Sequence, residues 1–222
     1  MIDLDATKSK LLESFSFAAS AIVADALDRL GLRNQSLDPA IRPLWPQARV
    51  VGWAVPVRIV ADDSVPAKPY DGEMSALDAL KTGDVPVFSV PSGLYVASWG
   101  ELFSCGAIGR GARGVVVDGM IRDARQIQEL GFATFARGCS PLDTFARAVV
   151  REYGTQTVVG GVSVNPGDLV VGDIDGVVIV PSAAAAEVAN LVHAKRKLEQ
   201  AARDDLLAGM GIRDVWTKYG VF

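Results

Sequence analysis

Two short stretches of the sequence hold residue types that could do chemistry together. "WGELF" sets Gly100 beside Glu101, and "DGMIRDAR" sets Arg122 beside Asp123, with residues 102–121 between the pairs. Arg122 carries a planar fork of donors that matches a carboxylate, and Asp123 offers a hard oxygen to a divalent cation. Charges this close to the apolar run "GVVV" must be solvated, paired or held for a ligand. Residues 102–121 accommodate one helix, one turn and one short strand. In a βαβ unit the helix N-termini emerge at one edge of the sheet, beyond the strand C-termini. The Gly100–Glu101 and Arg122–Asp123 turns are therefore expected to be neighbours. Gly100 allows close backbone approach, and both helix starts present unpaired N–H groups to an anion. Together they describe a pocket for an anion and a metal ion. The same residues also fit a structural account. Asp123 could stabilise its own helix start by about 0.3–1 kcal/mol, and Arg122 could pair with Glu101 or Asp118.

The hydrophobic pattern supplies the elements that must position these turns. Strands are expected over 48–60, 84–90, 94–98 and 113–119, with Pro56 implying an edge or a bulge in the first. Helices are expected over 20–31, 72–83, 100–111 and 123–131. The first is capped by Ser20 and stopped by Gly31, and the last is closed by Gly131. Strand–helix–strand–helix order from residue 94 onward predicts parallel strands. Short strands separated by Asn-Pro-Gly-Asp and Asp-Gly turns follow over 157–181. A long helix over 182–207, capped by Ser182, and a short one in "IRDVWTKYG" complete the reading. The fold class is mixed α/β, with a parallel βαβ core, added antiparallel strands, and residues 1–222 forming one domain.

Composition narrows the function. The chain has 222 residues, half of them hydrophobic and 22% charged, with a net charge of −4. This is a globular balance, and no basic, aromatic-interleaved stretch points to nucleic acid. The N-terminus does not resemble a secretory signal, and no apolar run is long enough to span a bilayer. Cys105 and Cys139, the two cysteines, fit a reducing cytoplasm. The single histidine, His193, lies in a helical pattern and reads as a packing or surface residue, so one chain cannot build a His-rich zinc centre. The lysines, Lys8, Lys10, Lys68, Lys81, Lys195, Lys197 and Lys218, lie outside apolar strands, which disfavours a Schiff-base nucleophile. "GAIGRGARG" follows a helix and precedes a strand, the reverse of a dinucleotide loop. Asp168, Asp173 and Asp175 stand in turn settings, and Asp25 and Asp28 read as surface or capping charges. Asp118 fits either a turn or a place behind the site.

"WGELFSCGAIGRGARGVVVDGMIRDARQIQELGFATFARG" resembles the core of the RraA-like family, which includes the class II 4-hydroxy-4-methyl-2-oxoglutarate / 4-carboxy-4-hydroxy-2-oxoadipate aldolases. The likeness extends to "ASAIVADALDRLG", "VNPGDLVVGDIDGVVIVP" and "LLAGMGIRDVWTKYGVF". It implies a swivelling β/β/α-type fold assembled as a homotrimer or homohexamer, with active sites at subunit interfaces. It further implies that the amides of Gly100, Glu101, Leu102 and Phe103, with Arg122, hold a pyruvate-type carboxylate. Asp123 would anchor Mg²⁺ or Mn²⁺, and Glu199 of a neighbouring copy would complete the water shell of the metal. The implied reaction is retro-aldol cleavage of a 4-hydroxy-2-oxo acid to pyruvate, with oxaloacetate decarboxylation as a related activity. Enzymes lower barriers by at least about 8 kcal/mol, while a helix N-terminus supplies at most about 2. A divalent Lewis acid fills that gap. Glu101 stands where the aldolases carry Asp, one methylene longer, and is the candidate for orienting the water that takes the 4-hydroxyl proton. The family also contains a branch that binds and inhibits RNase E without catalysis. In that branch the Asp after the Arg is replaced, so "IRD" favours the lyase.

Overall fold

Short runs of β-branched residues separated by glycine-rich turns build the sheet, and amphipathic segments between them build the helices. In the computed structural model residues 4–221 are described. The chain opens with α1 (Leu4–Phe15) and α2 (Ser20–Arg29), then β1 (Arg42–Pro43) and β2 (Val50–Ala61). Three crossovers follow. α3 (Asp71–Asp78) leads to β3 (Asp84–Ser89), α4 (Glu101–Gly109) to β4 (Val115–Ile121), and α5 (Ala124–Leu130) to β5 (Thr134–Cys139). Next come β6 (Ala148–Tyr153), the hairpin of β7 (Thr157–Val159) and β8 (Val162–Val164), then β9 (Leu169–Asp173) and β10 (Gly176–Val180). α6 (Ala185–Leu207) and α7 (Ile212–Tyr219) come last.

The main sheet runs β1-β5-β4-β3-β2-β9-β10, with β6 also on β2. Strands β2 to β5 are parallel neighbours, and the remaining pairings are antiparallel. The ends curl towards each other. Arg42 of β1 donates through Nη1 to the carbonyls of Ile174 and Asp175 in the β9–β10 turn, at 3.3 and 3.2 Å. The fold is therefore a nearly closed mixed sheet, as the α/β reading expects.

Alternation decides what each face buries. Val116 of "GVVV" points inward with Val50, Val87, Phe135, Val170 and Ile179, under the β7–β8 hairpin. Val115 and Val117 point outward, where Phe88, Trp99 and Ile127 join them in the layer containing α3, α4 and α5. Trp53, Leu169 and Val178 face the other helical layer, against α1, α2 and α6. Each such side chain, fully buried, contributes about 1.5–3 kcal/mol.

Two local expectations are corrected, the strand over 94–98 and the two serine caps. Residues 94–98 do not form a strand: Ala97 alone makes bridges, to Met120 and Asp143, and β3 is the strand that precedes α4. Pro56 lies inside the sheet, where β2 changes partner from β9 to β6, so its missing N–H costs no ladder bond, and the bulge it implied in this strand follows at Arg58/Ile59. Ser20 and Ser182 do not cap with their own hydroxyls. Asp173 instead accepts the Ser20 N–H and Oγ–H at 2.8 and 2.6 Å, and Asp168 accepts the Ser182 N–H at 2.9 Å. These aspartates hold turns, as read, and in addition hold two distant helix starts. Asp25 is a surface charge, as read, and in addition pairs with the buried Lys195 of α6. His193 packs edge-on against Phe17, at 4.7 Å between ring centroids.

Candidate active site

The two turns meet. Arg122 donates its backbone N–H to the Trp99 carbonyl at 2.9 Å, and Glu101 donates its N–H to Asp123 Oδ2 at 3.1 Å. A side chain at position 100 would place its Cβ 2.7 Å from that oxygen and 3.3 Å from Arg122 Cγ. Glycine is there because the approach leaves no room for anything larger. The start of α4 is fixed from below by buried groups: Trp99 Nε1 donates to Ser104 Oγ at 2.8 Å, and Ser104 Oγ donates to the Gly100 carbonyl at 3.0 Å. The first bond of α4 runs from the Ser104 N–H to the Gly100 carbonyl. The Leu102 and Phe103 amides thus have no helical acceptor and, among the described residues, remain free for an anion. Phe103 leans on Trp99, and the Leu102 side chain is 81% exposed.

Asp123 precedes α5 in the left-handed region, at φ 57°. Aspartate tolerates this conformation better than most residues, yet strain of order 1–3 kcal/mol at such a position is a mark of functional sites. Its Oδ2 takes the Glu101 N–H and lies 3.8 Å from Arg122 Nε. Oδ1 has no partner among the described residues, and neither does the Glu101 carboxylate. Beside Arg122 and Asp123 lies an open depression of about 500 Å³, floored by Cys139, Ser140 and Pro141 from the end of β5.

Sequence reasoning missed two residues. Asp143, in the loop after β5, binds Arg122 Nη1 through Oδ2 at 2.9 Å. Tyr70, just before α3, donates its hydroxyl to the same oxygen at 3.0 Å. The hydrogen bond from Arg122 to Asp143 raises the guanidinium's pKa further above its ordinary value. Burial alone would raise the Asp143 carboxyl. Arg122, the Phe145 N–H and the Tyr70 hydroxyl outweigh it and hold the group below the ordinary carboxylate range. No motif or periodicity marks "SPLDTF", so nothing short of the fold reveals Asp143. Of the alternatives weighed for Arg122, neither Glu101 nor Asp118 is its partner. Asp118 lies within β4 and is engaged by Arg137 at 2.5 Å and by the Gly160 N–H at 2.7 Å.

The donor set suits a divalent cation that keeps much of its water. Among the described residues no three His, Cys, Asp or Glu side chains gather in one place, so one chain does not cage a metal. One open carboxylate oxygen, a second carboxylate nearby and room for an oxygen-rich ligand fit Mg²⁺ or Mn²⁺, which bind through one or two carboxylates plus waters and substrate oxygens. Glu199 is not brought to this place within the chain. It lies on α6 with Oε1 3.4 Å from Lys195 Nζ. Among the described residues no helix is long and apolar enough to cross a membrane.

The profile of the RraA-like family, described as Aldolase/RraA, matches residues 20–179. A Halalkalibacterium halodurans protein provisionally named a 4-hydroxy-4-methyl-2-oxoglutarate aldolase is 32% identical over 203 residues, covering 89% of this chain and 90% of that one. The crystal structure of an uncharacterized Pseudomonas syringae protein superposes with a TM-score of 0.85 at 28% identity, over 95% of this chain and 94% of its own. A Streptomyces coelicolor protein, described as an unusual member of the RNase ES inhibitor RraA protein family, gives a TM-score of 0.79 at 28% identity. It covers 87% of this chain and 96% of its own. With the profile spanning most of the chain, and the fold and sequence shared across it, this chain belongs to the RraA-like family.

Proposed function

We propose that the protein is a divalent-metal-dependent lyase that cleaves 4-hydroxy-2-oxo acids and diacids by a retro-aldol reaction, releasing pyruvate, and that it also decarboxylates oxaloacetate. The observation that carries this reading is that the start of α4, with its open amides, meets the half-free Asp123 carboxylate through the Glu101 N–H, and that Asp123 and the Arg122 guanidinium line one open depression. Arg122 and the amides of Leu102 and Phe103 hold the substrate carboxylate and aim C3 and C4 across the depression. As the C3–C4 bond breaks, the 4-hydroxyl loses its proton and C4 becomes a carbonyl. The bonding pair passes to C3 and into the 2-oxo group as an enolate, which takes a proton at C3 to give pyruvate. Glu101, unpaired and one residue from the anion-binding amides, receives the hydroxyl proton through a water. Bound Mg²⁺ or Mn²⁺, held through Asp123, supplies Lewis-acid stabilisation of the developing enolate charge. Decarboxylation of oxaloacetate breaks the same C3–C4 bond and gives the same enolate, the C4 carboxylate leaving as CO₂ with no hydroxyl proton to remove, so it does not call on Glu101 as a base.

The reading extends to assembly. A homotrimer or homohexamer would cover Leu102 and the exposed Leu207, Ile212 and Trp216 near the C-terminal end, and would let Glu199 of a neighbouring copy approach Asp123. Two free cysteines suit a cytoplasmic setting. The Streptomyces relative's description, as a member of an RNase ES inhibitor family, supports one second reading of this chain, a non-catalytic regulator that binds an RNase E-type partner. Pyruvate release from oxaloacetate and from 4-hydroxy-4-methyl-2-oxoglutarate, with Mg²⁺ or Mn²⁺ and against a metal-only control, separates the two. Release above the control supports the lyase. Its absence, with capture of RNase E in a pull-down, supports the regulator.

A further inference from the structure

We infer that Asp143 and Tyr70 are positioning residues, which fix the Arg122 guanidinium so that its open nitrogen meets the substrate carboxylate. The inference rests on the lyase reading above and deepens it. A free arginine side chain turns about several bonds and would sample many directions across an open depression. Here Nη1 is committed to Asp143 at 2.9 Å and Nε faces Asp123 Oδ2 at 3.8 Å, which leaves Nη2 as the nitrogen without a protein partner among the described residues. The aspartate that does this is itself held at both oxygens. Oδ2 also accepts the Tyr70 hydroxyl, while Oδ1 accepts the Phe145 N–H at 3.2 Å and the Thr144 hydroxyl at 3.3 Å. Three connections thus converge on one guanidinium: the β2–α3 connection through Tyr70, the end of β4 through Arg122, and the loop after β5 through Asp143.

The backbone supplies a second, independent observation. Among the described residues three non-glycine positions have positive φ: Tyr70 at 61°, Asp123 at 57° and Ala146 at 53°. Two belong to this cluster, and the third lies three residues beyond Asp143. Left-handed conformations are costly for tyrosine and alanine and persist where surrounding structure imposes them. Their gathering around Arg122 is expected if the fold holds these loops against their local preference to aim one side chain. The loop is further anchored where the Ala97 N–H meets the Leu142 carbonyl at 2.8 Å, next to Asp143. Because Arg122 would grip the carboxylate equally in ground and transition states, its misalignment weakens binding more than turnover.

The test measures steady-state kinetics with oxaloacetate, together with calorimetric binding of oxalate, a dicarboxylate mimic of the pyruvate enolate, in Mg²⁺. Asp143→Asn is expected to raise KM and the oxalate Kd by about 10–100-fold while kcat stays within about threefold. Tyr70→Phe, which keeps the ring against Phe145, is expected to shift both in the same direction by about 3–10-fold. In an Arg122→Lys background, Asp143→Asn is expected to add little, because both changes act on the same contact. Additive penalties in that cycle, or unchanged oxalate affinity in Asp143→Asn, would overturn the inference. So would a loss confined to kcat. Should Asp143→Asn fail to fold, Tyr70→Phe decides on the same readouts. Wild-type protein that neither turns over nor binds oxalate would instead overturn the lyase reading, and this inference with it.

Discussion

Replacing Gly100 by alanine tests whether the two turns meet as described, and its consequence can be worked from distances. The backbone there is extended, at φ −158° and ψ −172°, so alanine is conformationally acceptable and any effect must come from the added methyl. That methyl would lie 2.7 Å from Asp123 Oδ2, well short of the 3.4 Å at which ordinary contact begins. The carboxylate is the softer partner, being the end of a side chain, and it must move. Moving it breaks the 3.1 Å bond from the Glu101 N–H. A hydrogen bond to a charged group contributes about 1.5–3 kcal/mol, equivalent to roughly 10–150-fold in an equilibrium constant. If Asp123 holds the metal, Mn²⁺ affinity measured by electron paramagnetic resonance falls by about that factor, and pyruvate release falls with it. The lost bond also costs the fold, so the metal-free protein should stay folded at assay temperature but melt roughly 3–12 °C below wild type. Mn²⁺ affinity and turnover both within twofold of wild type would refute the proposed convergence on Asp123.

Other perturbations address chemistry and stability separately. Glu101→Gln should lower kcat for 4-hydroxy-4-methyl-2-oxoglutarate by about 10²–10⁴-fold while leaving oxalate affinity within a few-fold; equal turnover of that substrate would remove Glu101 from the proton path. Asp173→Ala strips the Ser20 amide and hydroxyl of their acceptor in a buried setting. It should cost about 2–4 kcal/mol, seen as a fall of roughly 5–15 °C in Tm, and an unchanged Tm would discount this cap. Glu73 is buried, and burial raises its carboxyl above the ordinary 4.5, against hydrogen bonds from its own backbone and Thr144 that lower it. The folded state therefore holds that proton more tightly than the unfolded one. Stability is lost as pH rises from the ordinary value through the raised one. Glu73→Gln should accordingly gain in Tm over wild type as pH rises from 4 to 8, and a difference that shrinks over that range would contradict the sign.

Much of this architecture is legible in the chain, and the exceptions have physical causes. "GVVV" and "DLVVGDIDGVVIV" read as strands because β-branched runs between glycines leave few alternatives, and parallel order followed from the helices between them. "LYVAS" alternates like a strand but leads directly into the buried Trp99 and the Gly100 turn. Among the described residues of this stretch only Ala97 forms β-bridges, so the segment becomes a connection and leaves Tyr95 65% exposed. Ser20 and Ser182 occupy the right places for caps, yet carboxylates from distant turns hold their amides, a tertiary solution that local spacing cannot announce. The meeting of Glu101 with Asp123 was readable because helix N-termini share an edge of a parallel sheet. Asp143 and Tyr70 reach Arg122 from irregular loops, where no period relates sequence position to direction. Lys195 is buried in a helix whose sequence, "HAKRKLEQ", reads as a solvated face; Asp25 and Glu199 supply the charges that permit it.

The most direct measurement of the central claim is pyruvate release from 4-hydroxy-4-methyl-2-oxoglutarate by wild type and Asp123→Asn, each with Mg²⁺ and with excess chelator. Asparagine keeps the side-chain shape and tolerates the left-handed backbone, so the fold should persist. The account predicts turnover by wild type in Mg²⁺ alone, abolished by chelator and by the substitution. Turnover that survives in Asp123→Asn, or that ignores the chelator, would contradict it.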